Sequence, residues 1–246
     1  MTNKIITAGY VVIGDEILSG RTKDKNIGFL ASYLTDIGID LSEVRVVPDV
    51  EEKIVEAVNA LRAEYTYVFT SGGIGPTHDD ITADAIAKAF GVSIDLDPRA
   101  YKLLEDHYGA ENFTPARQRM ARIPDGADLI ENKVSIAPGF RIENVHVMAG
   151  VPAIMQAMVD AIAPTLETSQ KMLSVTIEAA LPESRIAQDL GEIQKNYPET
   201  SIGSYPQSKD GVFSTQVVVR SRSNDVLEQA SEAVRAAVEA AKTKFL

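Results

Sequence analysis

The chain has 246 residues, 45% of them hydrophobic, with no cysteine, three histidines and a formal net charge of −11. That length supports a full core in one large α/β domain, or in a domain of common size followed by a smaller one. The missing cysteines exclude disulfides, thiolate zinc sites and cysteine nucleophiles, and the acidic balance argues against a nucleic-acid partner, which needs clustered Lys and Arg.

From the N-terminus, Ile5 to Ile13 is a nearly continuous apolar run. It suits a strand buried on both faces of a parallel sheet. Gly14-Asp15-Glu16 ends it, and a polar loop through Gly20 follows. Asp24 is placed to cap a helix from about Lys25 to Ile37, with Ile27, Leu30, Ala31 and Leu34 on one face and Gly38 as its stop. Leu41 to Val47 reads as a second strand. Asp49 then caps a helix over Val50 to Glu64, with Glu52 three residues later in a capping-box spacing.

Tyr65 to Phe69 is the third strand, and Thr70-Ser71-Gly72-Gly73-Ile74-Gly75-Pro76-Thr77-His78-Asp79-Asp80-Ile81-Thr82 leads from it into a helical pattern, Ala83 to Phe90. Beyond it lie a short strand around Val92 to Leu96 and a helix from Asp97-Pro98 to about Tyr108. Thr114-Pro115 opens another helix to about Met120. Short strands at Asp128 to Ile130 and Val145 to Met148 flank the loop Ser135 to Gly139, and Gly150-Val151-Pro152 opens a helix to about Leu166.

After a linker, Thr168-Ser169-Gln170, the rhythm changes to strand Met172 to Glu178, helix Ser184 to Asn196, strands Ser201 to Tyr205 and Gly211 to Ser221, and helix Asn224 to about Lys242. The predicted fold is therefore α/β, a mostly parallel sheet between helices over residues 1–167, followed by a small β-α-β-β-α domain of the α+β class over residues 168–246. Residues 168–246 hold nine Lys or Arg against ten Asp or Glu, so the excess acidity belongs to the first domain. There is no run of eighteen apolar residues, and Met1-Thr2-Asn3-Lys4 does not open a signal peptide. A soluble, cytoplasmic protein with no membrane partner is expected.

The chemistry concentrates at the carboxyl ends of the first three strands, where ligands bind in open α/β folds. Gly72, Gly73 and Gly75 let backbone approach a ligand, and the helix start beyond them offers unpaired N–H groups to an anion. Asp79 and Asp80 beside an anion cradle are electrostatically inconsistent unless a divalent cation lies between them. Each aspartate could equally stabilise the helix dipole by about 0.3–1 kcal/mol. Asp49 explains itself as a cap worth roughly 1 kcal/mol, yet with Asp80 it could hold one magnesium or manganese ion, substrate phosphate completing the shell. Asp15 and Glu16 are loop residues placed to line the same pocket, and Asn26 and Thr77 are candidate hydrogen-bond donors. His78 is a solvated loop histidine, and Ser71 lacks the setting of a serine nucleophile.

The motifs Gly14-Asp15-Glu16-Ile17-Leu18-Ser19-Gly20, Asp24-Lys25-Asn26, Val47-Pro48-Asp49, Ser71 to Thr82 and Ala137-Pro138-Gly139, taken in this order, resemble the MoaB/MogA-like molybdopterin-binding fold. They are most similar to the competence/damage-inducible protein A (CinA) family. The resemblance implies a three-layer αβα domain whose pocket accepts a pterin or a nucleotide diphosphate, and a homo-oligomer. It implies divalent-metal-dependent (Mg, Mn or Co) cleavage of a phosphoanhydride such as that of ADP-ribose or FAD. In that reading Asp49 and Asp80 are catalytic, Asp49, Asp80 and Asp79 hold the metal, and Gly72, Gly73, Gly75, Thr77, Asp15, Glu16, Asn26 and Gly139 bind substrate. The alternatives are a molybdopterin-binding or adenylylating protein and a non-catalytic binding protein.

The sequence departs from the family pattern at Ser135, where glycine is usual, and at Ile154, where glutamate is usual. The glutamate's role does not carry over. Nor does the sequence, ending at Leu246, include the deamidase domain of longer CinA proteins, and the resemblance implies that this activity is absent.

Overall fold

The computed structural model describes residues 4–209 and 212–245, which form two compact units meeting at Ser169 and Gln170. In the first unit the chain runs β1 (Thr7–Ile13), α1 (Asp15–Leu18), α2 (Asn26–Ile37), β2 (Asp40–Val47), α3 (Glu51–Glu64), β3 (Tyr67–Ser71), α4 (Thr82–Phe90), β4 (Ile94–Leu96) and α5 (Pro98–Tyr108). It continues through α6 (Pro115–Gln118), β5 (Arg122–Pro124), β6 (Asp128–Ile130), β7 (Gly139–Ile142), β8 (Val145–Met148) and α7 (Pro152–Ile162). A six-stranded sheet has the order β2-β1-β3-β8-β7-β6. Its first four strands are parallel, and β7 is antiparallel to both of its neighbours. The chain is thus α/β with a mostly parallel sheet, as its rhythm predicts.

The two-faced burial of β1 explains its unbroken apolar run. Val11 and Ile13 join Ile54, Val58 and Leu61 of α3 and Ile86 of α4 on one face. Tyr10 and Val12 join Leu30 and Leu34 of α2 and Met155 and Met158 of α7 on the other. Because side chains alternate across a strand, both layers take their cores from the same seven residues of β1. The helices therefore cover both faces of the sheet, while the loops at the carboxyl ends of β1, β2, β3 and β8 stay open for function.

Several local expectations are corrected. Asp49 does not cap α3: the capping residue is Val50, in an extended conformation and without a side-chain cap bond, so the box with Glu52 does not form. Asp24 does serve α2, its Oδ1 accepting the Ile27 N–H at 2.8 Å. Ser135 to Gly139 is not loop throughout, since Gly139 begins β7, which turns at Glu143 and Asn144 into β8. The turn escapes sequence reading because it has no glycine. Glu143 takes φ 49° instead, and Asn144 Nδ2 donates to the carbonyls of Arg62 and Tyr65 at 3.1 Å. The helix expected from Thr114 to Met120 is shorter, a single α turn followed by a 3-10 turn at Arg119–Ala121.

In the second unit β9 (Leu173–Ala179), α8 (Ala187–Asn196), β10 (Thr200–Lys209), β11 (Val212–Ser221) and α9 (Asn224–Phe245) form an antiparallel sheet of order β10-β11-β9. Ile177, Val217 and Val219 bury against Leu227, Ala230, Val234 and Val238 of α9. The stripe read from sequence is the packed face. Gly211, the expected start of β11, lies outside the described residues.

Candidate functional site

The glycine loop after β3 is shaped first by packing. Gly72 has φ 108°, and a Cβ there would lie 2.1 Å from the Ile13 carbonyl oxygen. Its N–H donates to the Met148 carbonyl at 3.1 Å, and its own carbonyl accepts from Thr82 Oγ1 at 2.9 Å. Gly72 is therefore the knot that joins β1, β8 and α4, and its amide is spent. Gly73, at φ 68°, leaves room for the same threonine, whose Oγ1 would be 2.2 Å from a Cβ, and its carbonyl accepts the Thr82 N–H at 3.0 Å. The amides of Gly73, Ile74 and Gly75 make no hydrogen bond among the described residues, which keeps three donors for a ligand.

Next along the loop, Thr77 organises both aspartates. Asp80 Oδ2 accepts the Thr77 N–H at 2.8 Å and lies 2.7 Å from Thr77 Oγ1, while Asp79 Oδ1 lies 2.5 Å from that same hydroxyl. One hydroxyl proton faces two carboxylates, so it can satisfy only one. The Thr77 hydroxyl and Asp79's own amide hold the Asp79 carboxyl below the usual carboxylate range. His78, beside it, is fully exposed.

Asp49 is the group the cap reading misplaced. Its Oδ2 accepts the backbone N–H of Asp15 at 3.0 Å, which ties the loop after β2 to the start of α1. Half-burial pushes the Asp49 carboxyl upward, and the charges of Asp15, Glu16 and Asp79 push it further, against the Asp15 hydrogen bond. Asp79, rather than Asp80, is thus the helix-start carboxylate whose charge reaches Asp49. Asp80 is drawn into its own loop. Among the described residues no Lys or Arg side chain pairs with Asp15, Glu16, Asp49, Asp79 or Asp80.

These loops line a cleft of about 490 Å³, with Glu16, Thr22, Gly75 and Asp80 at its polar part and Tyr108, Met120, Ala137, Val151, Pro152 and Ile154 as apolar wall. Asp15, Asp49 and Asp79 lie outside its lining, whereas Asp80 of the predicted metal ligands lines it directly, as do Glu16 and Gly75 of the predicted substrate residues. Asn26 does not: it is 5% exposed, its Nδ2 donates to the Gly150 carbonyl at 2.9 Å, and it pins the loop before α7. Gly139 is buried in β7, where a Cβ would lie 2.4 Å from the Val147 carbonyl oxygen. Both are positioning residues for the cleft. Ser71 is buried, its Oγ 2.5 Å from the Tyr10 hydroxyl.

Sequence reading missed the wall contributed by Ser135 and Ala137. Its signal is Asn132, 5% exposed, whose Oδ1 accepts the N–H groups of Val134 and Ser135 and whose Nδ2 donates to Ser135 Oγ and the Ala137 carbonyl. Sequence reading also missed Arg119, whose Nη2 donates to the Asp80 carbonyl at 3.3 Å.

For a divalent ion, Asp49, Asp79, Asp15 and Glu16 are the oxygen donors of suitable chemistry. No group of three such side chains among the described residues converges as a ready-made cage. Their uncompensated charge fits an ion whose shell a ligand and water complete.

Residues 9–168 match the family model described as probable molybdopterin binding domain, about two thirds of the chain. The chain belongs to the molybdopterin-binding domain family. Residues 171–245 match a second model, the middle domain of FAD synthase. A solved structure described as the protein CinA with unknown function, from Thermoplasma acidophilum, is 34% identical with a TM-score of 0.62, covering 67% of this chain and 99% of that one. A protein from Aeropyrum pernix is 34% identical over 241 residues, 93% of this chain and 90% of its own length. A Caenorhabditis briggsae protein named probable FAD synthase is 31% identical over 250 residues, and the match spans 90% of this chain and 47% of that protein. The MoaB/MogA-like fold and the likeness to CinA expected from the ordered motifs are thereby shown. No helix among the described residues is long and apolar enough to cross a membrane.

Proposed function

We propose that the first domain is a divalent-metal-dependent pyrophosphatase acting on a nucleotide diphosphate such as ADP-ribose or FAD. The observation that carries this reading is the Asp15–Asp49 contact: it joins the loops that bear Asp15, Glu16 and Asp49 without a basic partner, while three amides of the glycine loop stay unused. Such an arrangement supplies both halves of a phosphoanhydride site, donors for the diphosphate and carboxylates for a metal ion. A divalent ion, here magnesium, manganese or cobalt, would offset phosphate charge and lower the pKa of a bound water. Asp49 and Asp79 would hold the ion, with Asp15 and Glu16 beside them. Thr77 and Asp80 keep the loop in register, and Gly73, Ile74 and Gly75 present their N–H groups to the phosphates. The apolar wall from Tyr108 to Ile154 accepts the ring system and excludes water.

The match of the second unit to a FAD synthase middle domain supports a nucleotide ligand. The test is hydrolysis of ADP-ribose and of FAD with each of the three metals. Product formation that depends on metal and disappears in Asp49→Asn and Asp79→Asn supports the reading; an Asp79→Asn protein as fast as wild type overturns the site assignment.

A second reading, a pterin-binding or adenylylating protein, is favoured by the description of the matching family model. Calorimetric titration with molybdopterin against ADP-ribose separates the two. Binding of the pterin alone selects the second reading.

A further inference from the structure

Beside the glycine loop lies a second, smaller cavity of about 20 Å³, which shares Ile74, Gly75, Asp80 and Met120 with the large cleft. It has room for about one water molecule. Two arginines, Arg119 and Arg122, reach the cavity. Arg122 is committed, its Nη1 and Nη2 holding Asp84 at 2.7 and 2.6 Å. Arg119 is not. Its Nη2 donates only to a backbone carbonyl, that of Asp80, and its Nε is buried without a hydrogen-bond partner.

No carboxylate among the described residues pairs with Arg119. Arg119 thus keeps a buried guanidinium donor without a counter-charge, a position that favours an anion supplied from outside the chain. Asp80, which also lines the small cavity, accepts from Thr77, and Asp84, the other carboxylate there, is held by Arg122. Arg119 lines the small cavity together with Gly73, Ile74 and Gly75, whose three amides are unused.

We propose that Arg119 is the cation that selects an anionic, phosphate-bearing ligand at the glycine loop, its guanidinium lining the same small cavity as Gly73, Ile74 and Gly75, whose amides are unused. The inference deepens the pyrophosphatase reading and rests on its placement of phosphate at that loop. It also gives a strongly acidic domain a cation at the loop that would meet a polyanion. A guanidinium suits this role because it stays charged and offers five donors in a fixed plane.

The test uses the full chain and three probes: inorganic pyrophosphate, ADP and uncharged adenosine, titrated calorimetrically with and without magnesium into wild type, Arg119→Gln and Arg119→Lys. Pyrophosphate and ADP binding should weaken by about ten- to a hundredfold in Arg119→Gln and recover in part in Arg119→Lys, with adenosine unchanged in all three. Kinetics with ADP-ribose should show the same order in KM. Equal loss of adenosine and pyrophosphate would reduce Arg119 to a structural role and overturn the inference. So would unchanged pyrophosphate binding in Arg119→Gln, or its absence in wild type. If wild type cleaves ADP-ribose and Arg119→Gln keeps its KM, the hydrolase reading stands and this inference falls. Arg119-dependent pyrophosphate binding without turnover of ADP-ribose or FAD gives the reverse outcome.

Discussion

The carboxylate of Asp49 accepts the backbone N–H of Asp15 at 3.0 Å, across 34 positions of sequence. This bond joins the loops after β1 and β2 and leaves the remaining lone pairs of Asp49 among the charges of Asp15, Glu16 and Asp79. A residue that would stabilise one helix as a cap instead ties two loops together at the edge of the sheet.

Asp49→Asn keeps an oxygen to accept the Asp15 N–H but removes the charge. Metal-dependent hydrolysis should fall by about a hundredfold or more, while metal-free stability stays equal or rises, because a repelled carboxylate is lost. Urea titration with and without manganese, beside turnover of ADP-ribose, checks both halves. A variant less stable than wild type without metal would contradict this account of Asp49. In wild type, since the Asp49 carboxyl is raised, protons compete with metal at a higher pH than for an isolated aspartate, and metal affinity should fall as pH drops toward that raised value.

Thr77→Val removes the one hydroxyl that two carboxylates share. Asp79 and Asp80 would then repel without relief, and kcat/KM should drop at least about tenfold, with Thr77→Ser close to wild type. Steady-state kinetics on the two variants decide the matter; a loss in Thr77→Ser with Thr77→Val unaffected would point to the methyl group rather than the hydroxyl.

At Gly72, the positive φ and the Ile13 carbonyl 2.1 Å from any Cβ both oppose a side chain. Gly72→Ala should cost on the order of 3 kcal/mol in chemical denaturation, more than the same change at Gly20, where nothing lies within 4 Å of a Cβ.

His146 is 2% exposed, stacked on Phe69 with ring centroids 5.2 Å apart. Burial, helped by the charge of Arg141, holds its pKa down at about 4 against the ordinary 6.5. The unfolded chain therefore binds a proton that the folded chain refuses, so stability falls as pH drops from about 6.5 to about 4, by up to on the order of 3 kcal/mol from this residue. His146→Phe keeps the stack and should flatten the pH dependence of the urea midpoint in that window. An unaltered slope would exclude His146 as its source.

Legibility in the sequence followed the range of the interactions. The β-α alternation, the Asp24 cap, the Pro98 and Pro115 helix starts and the α9 stripe depend on neighbours a few positions away, and they stand as read. The β7–β8 turn did not announce itself, because Glu143 supplies the positive φ that a glycine would have signalled. Asn26 and Gly139 belong to the right region, yet only their surroundings show that they hold the cleft from behind.

By itself the sequence determined a mostly parallel sheet buried on both faces, and set Asp15, Asp49 and the glycine loop on one edge of it, since strand order and hydrophobic period follow from local pattern and right-handed crossovers. The tertiary structure alone decided which of those groups meet. Asp49 takes the Asp15 amide, Asn26 takes the carbonyl of Gly150, 124 residues away, and Arg119 takes that of Asp80, 39 residues away. The physical reason is one of distance: a helix or strand is decided by its immediate neighbours, whereas a polar side chain at a sheet edge chooses among donors and acceptors that only the packed loops bring within hydrogen-bonding distance.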